Sequence, residues 1–403
     1  MDAVSAVKAL RTEDGRRDPY PYYAAMHRDG AAVRIPEGED KYTVAVFGHE
    51  AVDQVLRDPT FQVMDHVRMS VANPDWREHA TLRVFLGSVM FANDPMHGRI
   101  RRLLNKVFTA RRVANLEPPI VELTTRLLDR LEKKAEAGPV DFMSEFAYLL
   151  PSLVIGFMIG IPEQDMGWFR PLVDQVSDVL ELGRGTPERF AIADAAAVRL
   201  TGYFTELAAD RRANPRDDLI TSLVQANDAD TDQLSDEELM ANLVVLFNAG
   251  FVTTINMFGN GVTMLLDRPE LVERLLAQPE TAPGFVDEIV RFDVPTHFVI
   301  RYATAETDVA GVHVVPGDRV LVLLAAANHD PARHAEPGTF DPTRPLRASM
   351  AFGAGAHFCL GAALARLEGV VGFPLLFQRF PKLSLAEPPV PMGRLMLRGH
   401  AKL

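Results

Sequence analysis

The chain of 403 residues is 47% hydrophobic, and its 42 Lys and Arg residues are outnumbered by 54 Asp and Glu residues, giving a net charge of −12. This charge opposes binding to nucleic acid or an anionic membrane surface, and the single cysteine, Cys359, excludes an internal disulfide and a thiolate-rich zinc site. The hydrophobic content suffices for a large core and no linker is evident, so residues 1–403 are expected to form one domain.

The N-terminal part of the chain lacks the apolar block of a signal peptide, and charged side chains follow within a few residues, which predicts a cytoplasmic protein. Residues 31–47 predict two short strands around the turn EGED at 37–40, because strand-forming residues flank a polar turn that contains glycine. A helix is expected next, from about Glu50 to Leu56.

A largely helical region is predicted from about residue 94 to 295, where apolar residues recur at helical spacing. Residues 149–161 are apolar but include Pro151 and Gly156, which favours a buried helix over a membrane span. Ser235 and Glu238 have the spacing of a capping box and predict the start of a long central helix.

The central helix contains no charged residue between Leu239 and Leu266 and is long enough to cross a bilayer. It also contains polar residues that make it unsuitable for lipid, so we predict a buried core helix. These residues include Asn242, Asn248, Asn256 and Asn260.

After Arg301 the pattern changes, and residues 308–330 alternate around a Pro316–Gly317 turn, which predicts a β-hairpin or a small sheet. Residues 328–351 show no regular pattern, and loops of that length are usually functional or wrapped on a surface. A helix is predicted from Leu360 onward. The fold class is therefore mainly α with a minor β portion.

The stretch FGAGAHFCLG, residues 352–361, surrounds Cys359 with glycines. Glycine lets the backbone approach another group closely, and the helix that follows directs the positive end of its dipole at the thiol, so the thiolate is favoured. Three interpretations are compatible with this environment: a small buried hydrophobic residue, a nucleophile, or an axial metal ligand. No neighbouring motif supplies an activating base for a nucleophile.

Six positions of this stretch match the signature F-G-x-G-x-H-x-C-x-G, and the chain thereby resembles the cytochrome P450 family. They are Phe352, Gly353, Gly355, His357, Cys359 and Gly361. The resemblance covers essentially the whole chain and implies a single α-dominated domain of triangular outline. It also implies that haem b (iron protoporphyrin IX) lies between the central helix and the cysteine loop, with Cys359 as the iron ligand and Phe352 and Gly353 beside it.

The same resemblance implies the other cofactor contacts. His97 and Arg101, in DPMHGRIRRLLNKVFT, correspond to the residues of the family that bind one haem propionate, and Arg301 and His357 correspond to the remaining propionate contacts. The basic residues around this motif are either a solvated face or a patch where an acidic ferredoxin docks: Arg99, Arg102, Lys106, Arg111 and Arg112.

Glu288 and Arg291 correspond to the family's structural ion pair, which holds the segment that leads to the haem. The segment FDPTRP resembles the part of the family that supplies a third partner. Thr339 stands where an arginine is usual, which leaves this third contact open.

On the central helix, Ala249, Gly250 and Thr253 correspond to the family's oxygen-binding groove, where small residues leave room and a hydroxyl offers a proton. The residue before the threonine is usually an acid that relays protons, but this chain has Val252. Either water held by Thr253, Thr254 or a nearby Asn replaces the acid, or the enzyme performs a reaction other than ordinary hydroxylation.

The function implied is a monooxygenase that inserts one oxygen atom from dioxygen into a small or medium organic substrate, free or bound to a carrier protein, in a biosynthetic tailoring step. Ferredoxin and ferredoxin reductase would supply electrons to a monomeric enzyme. The alternatives are a peroxide-driven or non-hydroxylating enzyme, suggested by Val252, and a non-catalytic haem sensor or carrier. The residues predicted to line an apolar pocket are Phe91, Phe251, Val252, Phe298 and Val299.

Overall fold

Helices dominate the computed structural model, which describes residues 1–37, 42–181, 186–229, 234–345 and 349–403. In chain order, the helices are α1 Ala3–Ala9, α2 Glu13–Arg17, α3 Tyr20–Asp29, α4 His49–Arg57, α5 His66–Ala72, α6 Ala80–Leu86, α7 Met96–Val107, α8 Ala110–Ala114, α9 Glu117–Ala135, α10 Leu149–Ile159, α11 Phe169–Asp178, α12 Pro187–Ala213, α13 Leu219–Asp228, α14 Asp236–Leu266, α15 Pro269–Ala277, α16 Ala282–Phe292, α17 Leu324–Asn328 and α18 Ala362–Arg379. The strands are β1 Ala32–Pro36, β2 Tyr42–Val46, β3 Phe61–Gln62, β4 Val299–Ala303, β5 Thr307–Val309, β6 Val312–Val314, β7 Arg319–Val322, β8 Val390–Pro391 and β9 His400–Lys402. The predicted class, mainly α with a minor β portion, is confirmed.

The largest sheet has the strand order β1-β2-β7-β4-β3, in which β2 and β7 run parallel and the other neighbours are antiparallel. Ala32 lies opposite Val46 and Pro36 lies opposite Tyr42, which confirms the two strands predicted within residues 31–47. The turn predicted at 37–40 lies, apart from Glu37, outside the described residues. Valines of β2 and β7 bury their side chains in one apolar core: Val44, Val46, Val320 and Val322.

Residues 308–330 contribute to a β-hairpin, a strand of the main sheet and a short helix. Strands β5 and β6 make a hairpin, and β7 joins the main sheet after a turn in which Gly317 has φ 94°. Residues 324–328 form helix α17, so the prediction of strand structure is wrong for this part of the stretch. The reason is local composition, because three consecutive alanines favour a helix once the alternating residues end at Leu323.

The central helix α14 begins with the predicted capping box. The Ser235 backbone N–H donates to Glu238 Oε2 at 2.8 Å, and the Glu238 N–H donates to Ser235 Oγ at 3.1 Å. Among the described residues, α14 is the one helix long and apolar enough to cross a membrane, and 72% of its most apolar window is buried within the protein. This burial confirms the prediction of a core helix.

The described residues divide into two compact units. Unit 1 comprises Met1–Gln62, Thr124–Ala147 and Thr253–Leu403, and unit 2 comprises Val63–Leu123 and Tyr148–Val252. The sheets β1 to β9, the cysteine loop and the C-terminal half of α14 belong to unit 1. Unit 2 is helical, and its core contains a cluster of aromatic rings that includes Phe169, Phe204, Phe247 and Phe251.

A buried ion pair stabilises unit 2. Arg211, at the end of α12, donates from Nε to Asp218 Oδ2 at 2.5 Å and from Nη2 to the Gly160 carbonyl at 2.8 Å. Asp218 also caps α13, because its Oδ1 accepts from the Thr221 N–H at 2.8 Å. Gly160 has φ 100°, and a Cβ atom there would lie 2.2 Å from the Asp218 carboxylate, so glycine is required.

We expect Asp218→Asn to lower the free energy of unfolding by about 1–3 kcal/mol, because the buried Arg211 guanidinium would keep only the more exposed Asp210 carboxylate as its anion. Urea unfolding monitored by circular dichroism measures this loss. The matched control is Asp14→Asn, which removes an exposed pair with Arg17 and should cost less than about 1 kcal/mol. Equal losses in the two variants would contradict this account.

Candidate functional site

The cysteine loop lies between two short 3₁₀ turns and helix α18. Gly353 and Gly355 both have positive φ, at 69° and 68°, and a Cβ atom at Gly355 would lie 2.2 Å from the Leu56 carbonyl oxygen. The Cys359 N–H donates to the Phe352 carbonyl at 2.9 Å, which closes the loop. The loop conformation therefore depends on glycine at these two positions.

The Cys359 side chain is exposed, just ahead of the N-terminus of α18. Exposure is incompatible with a role as a small buried hydrophobic residue. Within the described ranges, no group of three or more His, Cys, Asp or Glu residues could hold a metal ion. The family resemblance implies that this sulfur is the axial ligand of a cofactor's metal, and the dipole of α18 favours the thiolate form that such a ligand needs.

Arg366, on the first turns of α18, supports the loop in a way that the sequence patterns did not predict. Its guanidinium lies 4.4 Å from the centroid of the Phe352 ring, and its Nε donates to Asp287 Oδ1 at 2.7 Å. The aromatic residue of the signature is thus covered by a cation that α16 holds in place. The sequence feature that could have indicated this contact is a basic residue about two helical turns after the cysteine.

Arg301 lies buried on β4, and burial lowers its pKa from 12.5 to about 10. Its Nη1 donates to the Ile300 carbonyl at 2.9 Å, and no carboxylate of the described residues pairs with it. A buried guanidinium is stable when an anion accompanies it. Arg301 therefore fits a carboxylate that arrives with a ligand, as a haem propionate would.

His97 and Arg101 lie four residues apart on α7, so they share one face of this helix in unit 2. His97 is buried, and burial lowers its pKa; Arg101 lowers it further, and Asp94, whose Oδ1 lies 3.9 Å from Nδ1, acts in the opposite direction. The pairing of a cation with a neutral imidazole suits a carboxylate. His357, in the loop of unit 1, is half-buried on the 3₁₀ turn before Cys359.

Two arginines of the predicted basic face are engaged in specific contacts. Arg99 pairs with the Glu238 carboxylate, and Arg112 donates from Nη2 to Ser222 Oγ at 2.8 Å. The interpretation of these two residues as a purely solvated face is wrong, because both link α7 and α8 to neighbouring helices of unit 2.

Ala249 and Gly250 lie in the middle of α14, three to four residues before Thr253. A Cβ atom at Gly250 would lie 3.2 Å from Ile155 Cδ1, so this glycine admits close packing of α10 against α14. Val252 is buried, and the Phe251 ring stacks on Phe247 with centroids 6.1 Å apart.

The other predicted pocket residues fall in both units. Phe91, in unit 2, is half-buried with its ring 5.6 Å from that of Phe85. Phe298, in unit 1, is fully buried in an apolar core with Tyr23, and Val299 is half-buried at the start of β4.

Glu288 and Arg291 form the predicted ion pair at 2.7 Å, with both side chains 4% exposed. The third partner is Arg344, whose Nε lies 3.3 Å from Glu288 Oε1. The contact that the sequence left open, because Thr339 stands where an arginine is usual, is made by Arg344 of the segment FDPTRP. The Thr339 backbone carbonyl instead accepts from Arg291 and Arg344, because the chain turns back after Phe340.

Two buried histidines lie in the irregular segment beside this ion pair. Burial lowers the pKa of His329 to about 4 and the pKa of His334 to about 3. Their neutral forms are therefore part of the folded state. The unfolded chain binds protons at these positions near pH 6.5, whereas the folded chain does not.

We expect the free energy of unfolding to fall as the pH drops from about 6.5 to about 4. His329 and His334 bind protons in the unfolded chain over this range, whereas both stay neutral in the folded chain. Within that window, each histidine lowers the free energy of unfolding by about 1.4 kcal/mol for every decrease of one pH unit. Urea unfolding at several pH values measures the slope, and His334→Gln should reduce it. An unchanged slope in that variant would contradict the assignment.

Comparison with known proteins places this geometry in context. The sequence profile described as Cytochrome P450 matches residues 15–397. The cytochrome P450 monooxygenase PikC of Streptomyces venezuelae is 34% identical over 94% of this chain and 87% of its own length. The biotin biosynthesis cytochrome P450 of Bacillus subtilis is 33% identical over 92% of this chain and 91% of its own length.

The fold is also similar to solved structures. That of P450BioI in complex with an acyl carrier protein bearing hexadec-9Z-enoic acid superposes with a TM-score of 0.89 at 29% identity, over 97% of this chain and 98% of that chain.

Proposed function

The chain belongs to the cytochrome P450 family, and on this premise we propose that it inserts one oxygen atom from dioxygen into a small or medium organic substrate in a biosynthetic tailoring step. The observation that carries the proposal is the exposed Cys359 thiol at the head of α18, in a loop closed by glycines of positive φ. Relatives named as monooxygenases support the reaction class.

The residues present fit haem b. Cys359 would bind the iron, and Phe352 and Gly353 would lie beside it. Arg301, a buried cation without a carboxylate partner among the described residues, would bind a propionate. His97, Arg101 and His357 would provide the other propionate contacts. When bound, the haem supplies dioxygen activation, which the thiolate ligand promotes.

The protein's own residues would then shape the space around that chemistry. Ala249 and Gly250 leave room along α14, and Thr253 offers a hydroxyl that orients water and donates a proton. The buried side chains of Phe251 and Val252 exclude bulk water from this part of the helix. We propose that Phe91, Phe298 and Val299 line the apolar pocket with them.

Electrons would come from ferredoxin and ferredoxin reductase to a monomeric enzyme in the cytoplasm. We propose that ferredoxin docks on the basic face that includes Arg102, Lys106 and Arg111, to which Arg99 and Arg112 also belong. The similarity to P450BioI, solved with an acyl carrier protein, supports a carrier-bound substrate as one option for this chain.

A second candidate function is favoured by Val252, which cannot carry a proton. It is a peroxide-driven enzyme or one that catalyses coupling, nitration or rearrangement. A haem sensor or carrier without catalysis is less well supported, because Ala249, Gly250 and Thr253 all retain the residue types of the oxygen-binding groove.

We expect the reduced, carbon monoxide-treated protein to show the red-shifted Soret band of a thiolate-ligated haem. Cys359→Ser should lose this band while keeping its helical content, because serine is close to cysteine in size and Cys359 is not part of the apolar core. Absorption and circular dichroism spectra make the measurement. An unchanged band in the variant would refute ligation by Cys359.

We expect Val252→Asp to increase the fraction of NADPH electrons that reach product and to decrease hydrogen peroxide release, because it restores an acid next to Thr253. The measurement compares product and peroxide per NADPH with ferredoxin and reductase present, and Val252→Asn serves as a non-ionisable control. Turnover of wild type with added peroxide alone, and none with ferredoxin, would instead support the peroxide-driven candidate.

A further inference from the structure

A buried hydrogen bond joins α11 to the central helix within unit 2. The Ser177 hydroxyl donates to Asn248 Oδ1 at 2.8 Å, and the two residues are 2% and 7% exposed. Asn248 directly precedes Ala249 and Gly250. The bond therefore fixes the orientation of a carboxamide next to the proposed oxygen-binding groove.

The surroundings of Asn248 on α14 are apolar. Phe247 and Phe251 stack on each other, Phe169 contacts Phe247 with ring centroids 4.8 Å apart, and Val252 follows one turn later on the face of Asn248. A buried amide in such surroundings costs free energy unless its polar atoms find partners. Ser177 satisfies the oxygen, while no described residue accepts a hydrogen bond from the amide nitrogen.

Two other asparagines of α14 differ from Asn248. Asn242 is fully engaged: its Oδ1 accepts from the Val89 N–H, and its Nδ2 donates to the Gly87 and Glu238 carbonyls. Asn256 lies in unit 1, and no described residue orients its buried carboxamide, because neither Nδ2 nor Oδ1 has a hydrogen-bond partner there. It packs so closely on Gly399 that a Cβ atom on that glycine would lie 2.2 Å from Oδ1. All polar atoms of the Asn242 side chain bond within the fold, whereas the Asn248 amide nitrogen is held in a fixed orientation and can still donate a hydrogen bond.

We propose that Asn248, oriented by Ser177, donates a hydrogen bond from its amide nitrogen to a neutral oxygen of the substrate, so that the enzyme selects substrates with a ketone, ester, lactone or hydroxyl group. This inference rests on the proposed function, since it places the substrate beside Ala249 and Gly250. A neutral acceptor fits better than a carboxylate, because the apolar neighbours of Asn248 supply no cation to balance a buried charge.

The amide also fixes where the substrate can be oxidised. An apolar pocket allows a hydrophobic substrate to rotate, whereas one directional hydrogen bond holds the acceptor oxygen at a set position along α14. The oxidised carbon would then lie at a constant distance from the oxygen atom that Asn248 binds. Asn248 is thus a specificity-determining residue, and Ser177 is a positioning residue.

Imidazole ligands test this without turnover, because their nitrogen binds haem iron and shifts the Soret band. The probes are phenacylimidazole, its two homologues with the carbonyl one and two carbons further from the ring, and the three matched compounds with methylene in place of the carbonyl. In the wild type, we expect at least one ketone to bind roughly tenfold more tightly than its methylene analogue, as one hydrogen bond would give.

Asn248→Leu is the sharpest variant, because leucine is close to asparagine in size and offers neither a hydrogen-bond donor nor a titratable group. We expect it to abolish the ketone preference, while the methylene compounds bind within about twofold of wild type. Ser177→Ala should reduce the preference in part. Asn256→Leu, on the same helix, should leave the preference unchanged, and the carbon monoxide spectrum verifies that every variant holds its haem.

The outcomes are separable. No ketone preference in the wild type for any of the three pairs, or a preference that survives Asn248→Leu, would overturn the role of Asn248 while leaving the proposed function intact. Absence of any azole-induced shift together with a missing thiolate band would overturn the proposed function itself. Loss of the preference in Asn248→Leu but not in Asn256→Leu, with normal spectra, would support the proposal.

Discussion

The buried carboxylate of Glu288 forms the ion pairs that hold the segment leading to the cysteine loop. A carboxylate with 4% exposure is stable only with close cationic partners, and Glu288 has two, Arg291 and Arg344. Those guanidinium groups also donate to the backbone carbonyls of an irregular segment, at Asn328, Ala335, Glu336, Pro337 and Thr339. Side-chain hydrogen bonds thus hold the segment that follows α17 in place. Asn328, the last residue of α17, accepts a hydrogen bond from the Met350 N–H at its Oδ1 and so positions the start of the cysteine loop.

The loop itself combines two constraints of different origin. Backbone sterics require glycine at 353 and 355, where φ is positive, and electrostatics favours a thiolate at the start of α18. Arg301 adds a buried cation for which the described chain provides no anion. Under the proposed function, haem would satisfy two of these features, because its iron would bind the thiolate and a propionate would pair with Arg301.

The first half of α14 shows how an apolar helix can still carry specific polar chemistry. The Asn242 amide nitrogen donates hydrogen bonds within the fold, whereas the Asn248 amide has a partner only at its oxygen. Val252 removes the usual acid from this helix, so directional polarity near the groove comes from amide and hydroxyl groups. If Asn248 contacts the substrate as we propose, that composition would favour neutral, oxygenated substrates over charged ones.

Short-range patterns predicted much of this protein. The spacing of Ser235 and Glu238 determined where the central helix begins, the alternation of residues 31–47 determined two strands, and six positions around Cys359 determined the family, because each feature depends on residues close together in the chain. Tertiary structure decided that Arg344 completes the Glu288 ion pair, that Gly250 faces Ile155 and that Ser177 meets Asn248. The physical reason is that hydrophobic periodicity fixes which face of an element is buried, whereas the partner across the interface depends on how distant elements pack together.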